Sequence, residues 1–328
     1  MTQVGNEYLI TLDITPALQN MLKIPLSFET KGRLLSFEHE LARQFWQHGF
    51  VSPEDRQHSL SSGDISTHVY EALAEEPRPV VSFDVTHFPT IRSVPFSITR
   101  LTSPVDPSQY KFGPRKGHED LPEQIEILSK DLNGSAPVIL DIGTYSGGSI
   151  VVPILSGSMS EDEKKLMIEH GVITDKTEVD AYKGFRAQGI MPQAVYMGVG
   201  GKRAVEALRA LGIETHVLHE FEFRDWIELR DVIGVDGRKV DETYLSEAAV
   251  AKSQTHQKFI PYRERPEDWA TILPKKHEEF VKWCDKSFDQ LCSIVKEGGI
   301  TLERVQLDPA ETAEGSLPCY FLRWAYAS

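Results

Sequence analysis

The residues whose types and spacing could support chemistry lie between Pro137 and Ile150. There, an apolar run typical of a buried strand ends in Asp141 and passes into a turn of small and hydroxyl-bearing residues. Open α/β sheets bind their ligands at the carboxyl ends of parallel strands. The pattern therefore predicts that the Asp141 carboxylate stands at the ligand-binding edge of a parallel sheet.

The turn that follows this acid is rich in glycine and serine. Gly143, Gly147 and Gly148 let the backbone approach a ligand closely, because glycine has no side chain to keep the ligand away. Ser146 and Ser149 add hydroxyl groups beside the backbone N–H groups that open a predicted helix. The alternative is a purely structural turn, because a strand followed by a glycine-serine turn and a helix is common in doubly wound sheets.

Part of this stretch resembles the signature of type I phosphoribosyltransferases. That signature is an apolar strand, two consecutive acids, three variable residues and Thr-Gly-x-Thr; Asp141, Ser146, Gly147 and Ser149 stand at the matching offsets. The resemblance implies that Asp141 holds a ribose hydroxyl and that the loop binds a 5′-phosphate, with Mg²⁺ accompanying phosphoribosyl pyrophosphate. The implied binding residues are Asp141, Gly143, Thr144, Tyr145, Ser146, Gly147, Gly148 and Ser149.

Two departures from this family leave open whether the chain transfers phosphoribose. Ile142 stands where the family has its second acid, and the connection His87–Arg92 is too short for the helix that the family places after its first core strand. A phosphoribosyltransferase-like protein can instead bind a nucleotide as a regulator or as a bacterial toxin or defence effector. In each case the expected partner is a phosphoribosyl or nucleotide small molecule.

The same stretch is also similar to the first motif of S-adenosylmethionine-dependent methyltransferases. The residues that match are Asp141, Gly143, Tyr145, Gly147 and Ser149. In that family the next strand normally ends in an acid that binds the cofactor ribose. Here the next predicted strand, Ala194–Val199, is followed by Gly200 and has no carboxylate at its end. The phosphoribosyltransferase resemblance is therefore favoured, and the methyltransferase is the alternative.

A second candidate region is the segment Ser103–His118, which is rich in proline and glycine and predicts a basic loop. Its cationic residues include Lys111, Arg115 and Lys116. Several phosphoribosyltransferases close a flexible basic loop over the pyrophosphate, so the resemblance implies a catalytic role for these three residues beside Asp141. Positive charge would there stabilise the leaving pyrophosphate. The alternative is an ordinary solvated loop.

The elements that must position these residues predict an α/β fold with a mostly parallel open sheet. The resemblance, which covers Val80–Phe223, implies that this sheet is of phosphoribosyltransferase type. Hydrophobic periodicity and turn residues indicate the individual elements. The predicted strands are Val80–Thr86, Ser93–Thr102, the run into Asp141, Ala194–Val199 and Thr215–Phe223. The predicted helices are Lys31–His48, Ile65–Ala74, Leu121–Leu132, Ser160–His170, Lys202–Leu211 and Lys275–Lys296.

Three regions follow from this pattern. Residues 1–78 form an N-terminal helical addition, in which Ser52–Asp64 is expected to be a loop. Residues 79–231 form the phosphoribosyltransferase-like core. Residues 232–328 form a C-terminal α+β appendage, with strands expected at Ile300–Gln306 and Pro318–Ala327, and this appendage is where a protein partner or a second copy of the chain is expected to bind.

Composition excludes several classes of function. The chain has 328 residues and a formal net charge of −14, which argues against generic binding to the nucleic-acid backbone. The sequence contains no apolar run near the ~20 residues that cross a bilayer and no signal-peptide pattern, so no membrane partner and a cytoplasmic location are expected. Cys284, Cys292 and Cys319 have no metal-ligand spacing, and no metal site formed by protein side chains alone is predicted.

Overall fold

The computed structural model describes residues 5–22, 24–84, 87–88, 90–102, 110–114, 118–232, 239–240, 243–244 and 271–300. These residues form two compact units. The first unit is built around Gly63–Phe223, and the second contains Asn6–Ser62 together with 224–232 and 271–300. Segments from both ends of the chain therefore contribute to one unit.

The secondary structure alternates between helices and strands. The described helices are α1 (Ile14–Leu22), α2 (Phe28–His48), α3 (Ser62–Leu73), α4 (Leu121–Leu132), α5 (Gly148–Leu155), α6 (Glu161–Glu169), α7 (Lys202–Ala210), α8 (Leu229–Val232) and α9 (His277–Glu297). The described strands are β1 (Glu7–Leu12), β2 (Arg56–Ser61), β3 (Val80–Ser82), β4 (Val94–Pro95), β5 (Thr99–Thr102), β6 (Tyr110–Gly113), β7 (Val138–Thr144), β8 (Ala194–Gly201), β9 (Glu214–Phe221), β10 (Phe223–Glu228), β11 (Lys239–Val240) and β12 (Thr243–Tyr244).

The first unit is organised by a five-stranded sheet in the order β4-β3-β7-β8-β9. All four strand pairs in it are parallel. Ser82 is opposite Leu140, and Asp141 is opposite Met197. Pro95 lies on the edge strand β4, where a residue without an N–H group is tolerated. The predicted α/β class with a mostly parallel sheet is confirmed.

The order of these strands contains one reversal. Along the chain β3 comes first, β4 second, β7 third, β8 fourth and β9 fifth, so the spatial order is 2-1-3-4-5. The chain leaves β3 towards one side of the sheet and later returns to its other side as β7. Doubly wound sheets bind ligands in the crevice outside the carboxyl ends of the strands where the order reverses. In this sheet the order reverses between β3 and β7.

One hydrophobic core covers a face of this sheet. Its sheet residues include Val81, Ile139 and Val195, and helices α4, α5 and α7 contribute the facing side chains. Strand β8 is buried along its whole length, as expected for a central parallel strand covered on both faces. The apolar helix α5, which belongs to this core, begins directly after the motif turn.

The second unit contains a three-stranded sheet in the order β10-β1-β2, packed with α1, α2 and α9. The expected loop at Ser52–Asp64 is wrong in its central part, because Arg56–Ser61 forms β2 and pairs in parallel with β1. Its polar, largely exposed sequence suits an edge strand but has no apolar alternation that would predict one. Cys284 and Cys292 lie in the core of this unit, on the buried side of α9.

The predicted helices are confirmed, with boundaries within a few residues. Helix α4 has the predicted limits, because the Asp120 side chain accepts the Glu123 N–H at one end and Asn133 takes the left-handed conformation at the other. Ser160 and Glu163 form a capping box at the start of α6. The strands expected at Ile300–Gln306 and Pro318–Ala327 lie, apart from Ile300, outside the described residues. Of the helices described, none has the length and apolarity to cross a membrane.

The amino end of the five-stranded sheet holds a buried carboxylate, Glu76. Both of its oxygens accept hydrogen bonds from the Arg78 guanidinium at 2.6 Å, and the Tyr196 hydroxyl donates to it at 2.8 Å. The Glu76 side chain is 3% exposed. These hydrogen bonds, that of Arg78 above all, lower the pKa of Glu76 to about 2. The ionised form of Glu76 is therefore stabilised in the folded state.

We expect Glu76→Gln to lower the free energy of unfolding at pH 7 by about 2 kcal/mol, because the amide loses the charged component of these hydrogen bonds. Since the folded pKa is depressed, the contribution of the carboxylate is fully present above its unfolded pKa of about 4.3 and is lost as pH falls through about 2. Urea titrations of both proteins from pH 7 to pH 2 measure the difference. A difference that stays constant over this range would contradict the assignment.

Candidate active site at the carboxyl edge of the parallel sheet

Asp141 lies on the buried strand β7, one residue beyond Leu140 and opposite Met197 of β8. It is 8% exposed, and its neighbour Ile142 is 5% exposed. The strand does not end at Asp141 but continues to Thr144, which still pairs with Gly200. The carboxylate therefore sits within the last residues of a rigid central strand, with the motif turn starting three residues later.

The turn itself is held by a short internal hydrogen bond. The Gly147 N–H donates to the Thr144 hydroxyl at 2.9 Å, and both groups are buried. Gly147 has φ +88°, a conformation that favours glycine, and α5 begins at the next residue. Thr144 thus orders the loop. In this conformation the Gly147 N–H is bonded within the loop, and the Ile150 N–H donates to the Gly147 carbonyl at 3.1 Å. The N–H groups of Gly148 and Ser149 lie between them, in the first turn of α5.

The glycines of the motif are also required by packing. A side-chain carbon at Gly147 would lie 3.0 Å from the Ala204 side chain of α7, and one at Gly148 would lie 2.9 Å from the Phe112 ring and 3.0 Å from the Val172 carbonyl. Both positions therefore bring the loop against neighbouring elements of the protein. The sequence interpretation assigned these glycines to ligand approach, and the structure adds a packing requirement that is independent of any ligand.

Tyr145 combines a fixed backbone with an exposed ring. Its carbonyl oxygen would be 2.1 Å from a side-chain carbon at Gly201, so the loop rests directly on the end of β8. The Tyr145 ring is stacked on the Phe223 ring, with 5.3 Å between centroids and 19° between planes. The residue is nevertheless 41% exposed. Tyr145 therefore stacks on Phe223 and is also partly exposed to solvent.

The predicted basic loop is partly a strand. Tyr110–Gly113 forms β6, which pairs antiparallel with β5 and places Lys111 opposite Leu101. The expectation of a loop is wrong for these four residues, because they pair with β5 through backbone hydrogen bonds. Strand β6 reaches the motif, since Phe112 contacts the start of α5 at Gly148. Arg115 and Lys116 lie outside the described residues.

Sequence reasoning missed a buried acid–histidine pair at the end of β3. His87 Nδ1 lies 2.8 Å from Asp84 Oδ2, and the His87 N–H donates to Asp84 Oδ1 at 3.1 Å. The two side chains are 1% and 5% exposed. The Ser66 hydroxyl donates to the His87 carbonyl at 3.1 Å. An Asp-x-x-His sequence directly after a buried strand was the available signal.

This pair belongs to the same sheet edge as the motif. The Phe83 N–H donates to the Leu140 carbonyl at 2.8 Å, so Asp84 follows a residue that is still bonded to β7. The Asp84–His87 pair thus follows β3, and Asp141 lies in the second half of β7, the strand on the other side of the order reversal. A carboxylate that binds Nδ1 fixes the tautomer and orientation of a histidine, as in many acid–base sites.

A protein-built metal centre is not part of this arrangement. Within the described ranges, no group of three or more His, Cys, Asp or Glu side chains is placed to hold an ion. Mg²⁺ normally binds proteins through one or two carboxylates and takes its other ligands from substrate phosphates and water. Asp141 fits this pattern as a single carboxylate, so any Mg²⁺ at this edge would arrive with the phosphates of the substrate.

Comparison with known proteins adds no identification: no family model, curated protein or solved structure matches this chain. The function of the protein is therefore inferred from the residues and the geometry of the sheet edge.

Proposed function

We propose that the carboxyl edge of β3 and β7 binds a phosphoribosyl or nucleotide ligand. The observation that carries the proposal is the coincidence of two independent features at one place. The motif Asp141–Ser149 follows β7, and the strand order 2-1-3-4-5 reverses between β3 and β7. Ligands of doubly wound sheets bind at this reversal.

The chemistry of the motif suits a sugar phosphate. Asp141 is an acceptor for ribose hydroxyl groups, and a charged acceptor in a largely buried position makes stronger hydrogen bonds than a neutral one. The 5′-phosphate binds at the start of α5, where the backbone N–H groups and the helix dipole favour an anion. Ser146 and Ser149 donate hydroxyl hydrogen bonds to the same phosphate.

Transfer of phosphoribose is the reaction that this ligand permits. An acceptor would displace pyrophosphate from the anomeric carbon, and Mg²⁺ bound by the substrate would neutralise part of the leaving charge. Lys111, Arg115 and Lys116 are proposed to supply further positive charge to the pyrophosphate. Because Ile142 stands in place of the second acid, Asp141 is the single acid of the motif. The alternative is a regulator or effector that binds a nucleotide at the same site and does not transfer phosphoribose.

Two features of the sheet favour this ligand over S-adenosylmethionine. Strand β8 ends in Gly200 and Gly201 and offers no carboxylate for a cofactor ribose. The five-stranded sheet ends at β9, and the next strand along the chain, β10, pairs with β1 in a different sheet. A short sheet that binds its ligand after β7 is expected to lack a carboxylate on β8 and to end at β9.

A thermal-shift titration tests the proposal. We expect phosphoribosyl pyrophosphate with Mg²⁺, or ribose 5-phosphate, to raise the melting temperature, because a ligand at about 100 times its Kd stabilises the folded state by about 2.7 kcal/mol. Asp141→Asn should weaken binding at least roughly tenfold, which is about 1.4 kcal/mol for the loss of one charged acceptor. Asp162→Asn, which changes an exposed acid on α6, is the matched control and should bind like the wild type.

Three outcomes would contradict the proposal. Stabilisation by S-adenosylmethionine alone would favour the methyltransferase. Equal binding by the Asp141→Asn variant and the wild type would remove the role of the carboxylate. An unchanged melting temperature with every phosphoribosyl and nucleotide ligand would leave the edge without this function.

A further inference from the structure

The Tyr145 ring stands inside the proposed ligand site but has no role in binding phosphate or ribose. The residue is 41% exposed, although the backbone of its loop is closely packed. We infer that this ring is the surface on which the base of a nucleotide stacks, so that the ligand of the site is a nucleotide carrying an aromatic base. This inference rests on the proposed function and extends it to the class of ligand.

The ring is preorganised for stacking. The Tyr145 ring is stacked on the Phe223 ring at 5.3 Å, and the Phe223 ring contacts the Phe221 ring at 5.3 Å with a tilt of 34°. The Tyr145 carbonyl is fixed against Gly201, and the Thr144–Gly147 hydrogen bond holds the next residues. A ring held in this way loses little conformational freedom on binding, which favours affinity.

Tyr145 lies in sequence between the residues that are proposed to bind the ribose and the phosphate of a nucleotide. Asp141, which is proposed to hold the ribose, precedes it by four residues, and the phosphate-binding start of α5 follows within three. The ribose of a nucleotide is bonded to both the phosphate and the base. A ligand whose ribose and phosphate are bound by this loop therefore carries its base close to the same loop, where Tyr145 is the exposed aromatic side chain.

The surroundings favour a flat uncharged group on this ring. Lys202, next to Gly201, donates to Glu222 at 2.9 Å, and Glu222 directly precedes Phe223. The charges of Lys202 and Glu222 are thus paired with each other. A nucleobase offers a π-face to the Tyr145 ring and polar edges to charged neighbours such as Lys202 and Glu222. Every base can stack on an aromatic ring in this way.

The test compares ligands that differ only in the base. Calorimetric titration gives Kd for AMP, UMP and ribose 5-phosphate with the wild type, Tyr145→Phe and Tyr145→Leu. We expect the wild type to bind AMP and UMP about 5- to 150-fold more tightly than ribose 5-phosphate, the range for one base–aromatic stack. Tyr145→Phe should keep this difference, and Tyr145→Leu should lose most of it when the three ligands are compared on the same variant.

The outcomes separate the inference from the proposed function. If ribose 5-phosphate binds and the two nucleotides bind no more tightly, the base-stacking role is wrong and the proposed function stands. If the nucleotide preference survives in Tyr145→Leu, the base binds elsewhere and the inference is wrong. If none of the three ligands binds to the wild type, the proposed function and the inference both fail. Melting temperatures of the ligand-free variants establish that each is folded, and Tyr145→Ala, which also removes the ring and should lose the nucleotide preference, provides the test if Tyr145→Leu is not.

Discussion

Replacing Arg230 by Met is expected to lower the free energy of unfolding of the second unit by about 3–5 kcal/mol. Arg230 is 4% exposed, and its guanidinium binds Asp13 Oδ2 at 3.1 Å and Glu228 Oε1 at 2.7 Å. Asp13 also accepts the Arg230 backbone N–H at 3.0 Å. Methionine fills much of the volume but leaves two buried carboxylates without their cation, and breaking a buried ion pair in this way has a cost of that size.

Chemical denaturation at pH 7 measures this effect, and Arg43→Met is the matched control. Arg43 binds Glu40 on the surface of α2, where both side chains are about half exposed and screened by solvent, so its loss should change stability little. Adding Asp13→Asn and Glu228→Gln to Arg230→Met removes the uncompensated charges and should recover a large part of the lost stability. An Arg230→Met protein as stable as Arg43→Met would show that the buried cluster is not charged as described.

Replacing Gly198 by Ala is expected to lower the free energy of unfolding of the first unit by about 3 kcal/mol. Gly198 lies on the buried strand β8, and a methyl group there would be 1.9 Å from Cγ2 of Ile65 on α3. Ile65 is 1% exposed and β-branched, so its side chain cannot rotate away easily. Overpacking of a filled core typically costs 1–3 kcal/mol, and this overlap belongs at the upper end.

A double-mutant cycle gives a sharper result than the single variant. Ile65→Ala removes the obstructing carbon and should by itself cost about 2–5 kcal/mol through the cavity that it leaves. In that background Gly198→Ala should cost little, which corresponds to a coupling of about 3 kcal/mol between the two sites. Gly32→Ala is the control, because a methyl group at Gly32 in α2 meets no atom within 4 Å and should stabilise the helix by up to about 1 kcal/mol. Additive costs at Gly198 and Ile65 would contradict the packing of α3 on β8.

The packing of glycine residues connects these stability effects to the proposed site. Gly198 lets α3 approach β8, and Gly201 lets the Tyr145 carbonyl rest on the end of the same strand. Strand β8 thus supports the helix on one side and the motif loop on the other without a carboxylate of its own. The glycines of β8 thus determine how closely α3 and the motif loop pack on it. The polar groups proposed to bind the ligand come from β7 and the turn after it.

The sequence by itself determined the elements whose signals are local. Helix α4 could be predicted to the residue, because its apolar periodicity and its caps at Asp120 and Asn133 act within a few residues of the chain. The motif at Asp141 was visible for the same reason, since an apolar strand, an acid and a glycine-serine turn are contiguous. The α/β class follows from the alternation of such elements.

Only the tertiary structure decided which of these elements meet. Strands β2 and β6 carry no local signal and exist because β1 and β5 provide their backbone hydrogen-bond partners. The strand order that places Asp84 and His87 beside the Asp141 strand is likewise a matter of long-range pairing. Helix periodicity is encoded within about four residues, whereas a sheet pairs residues tens of positions apart. For that reason the sequence predicted the motif, and the fold alone showed which groups share its edge.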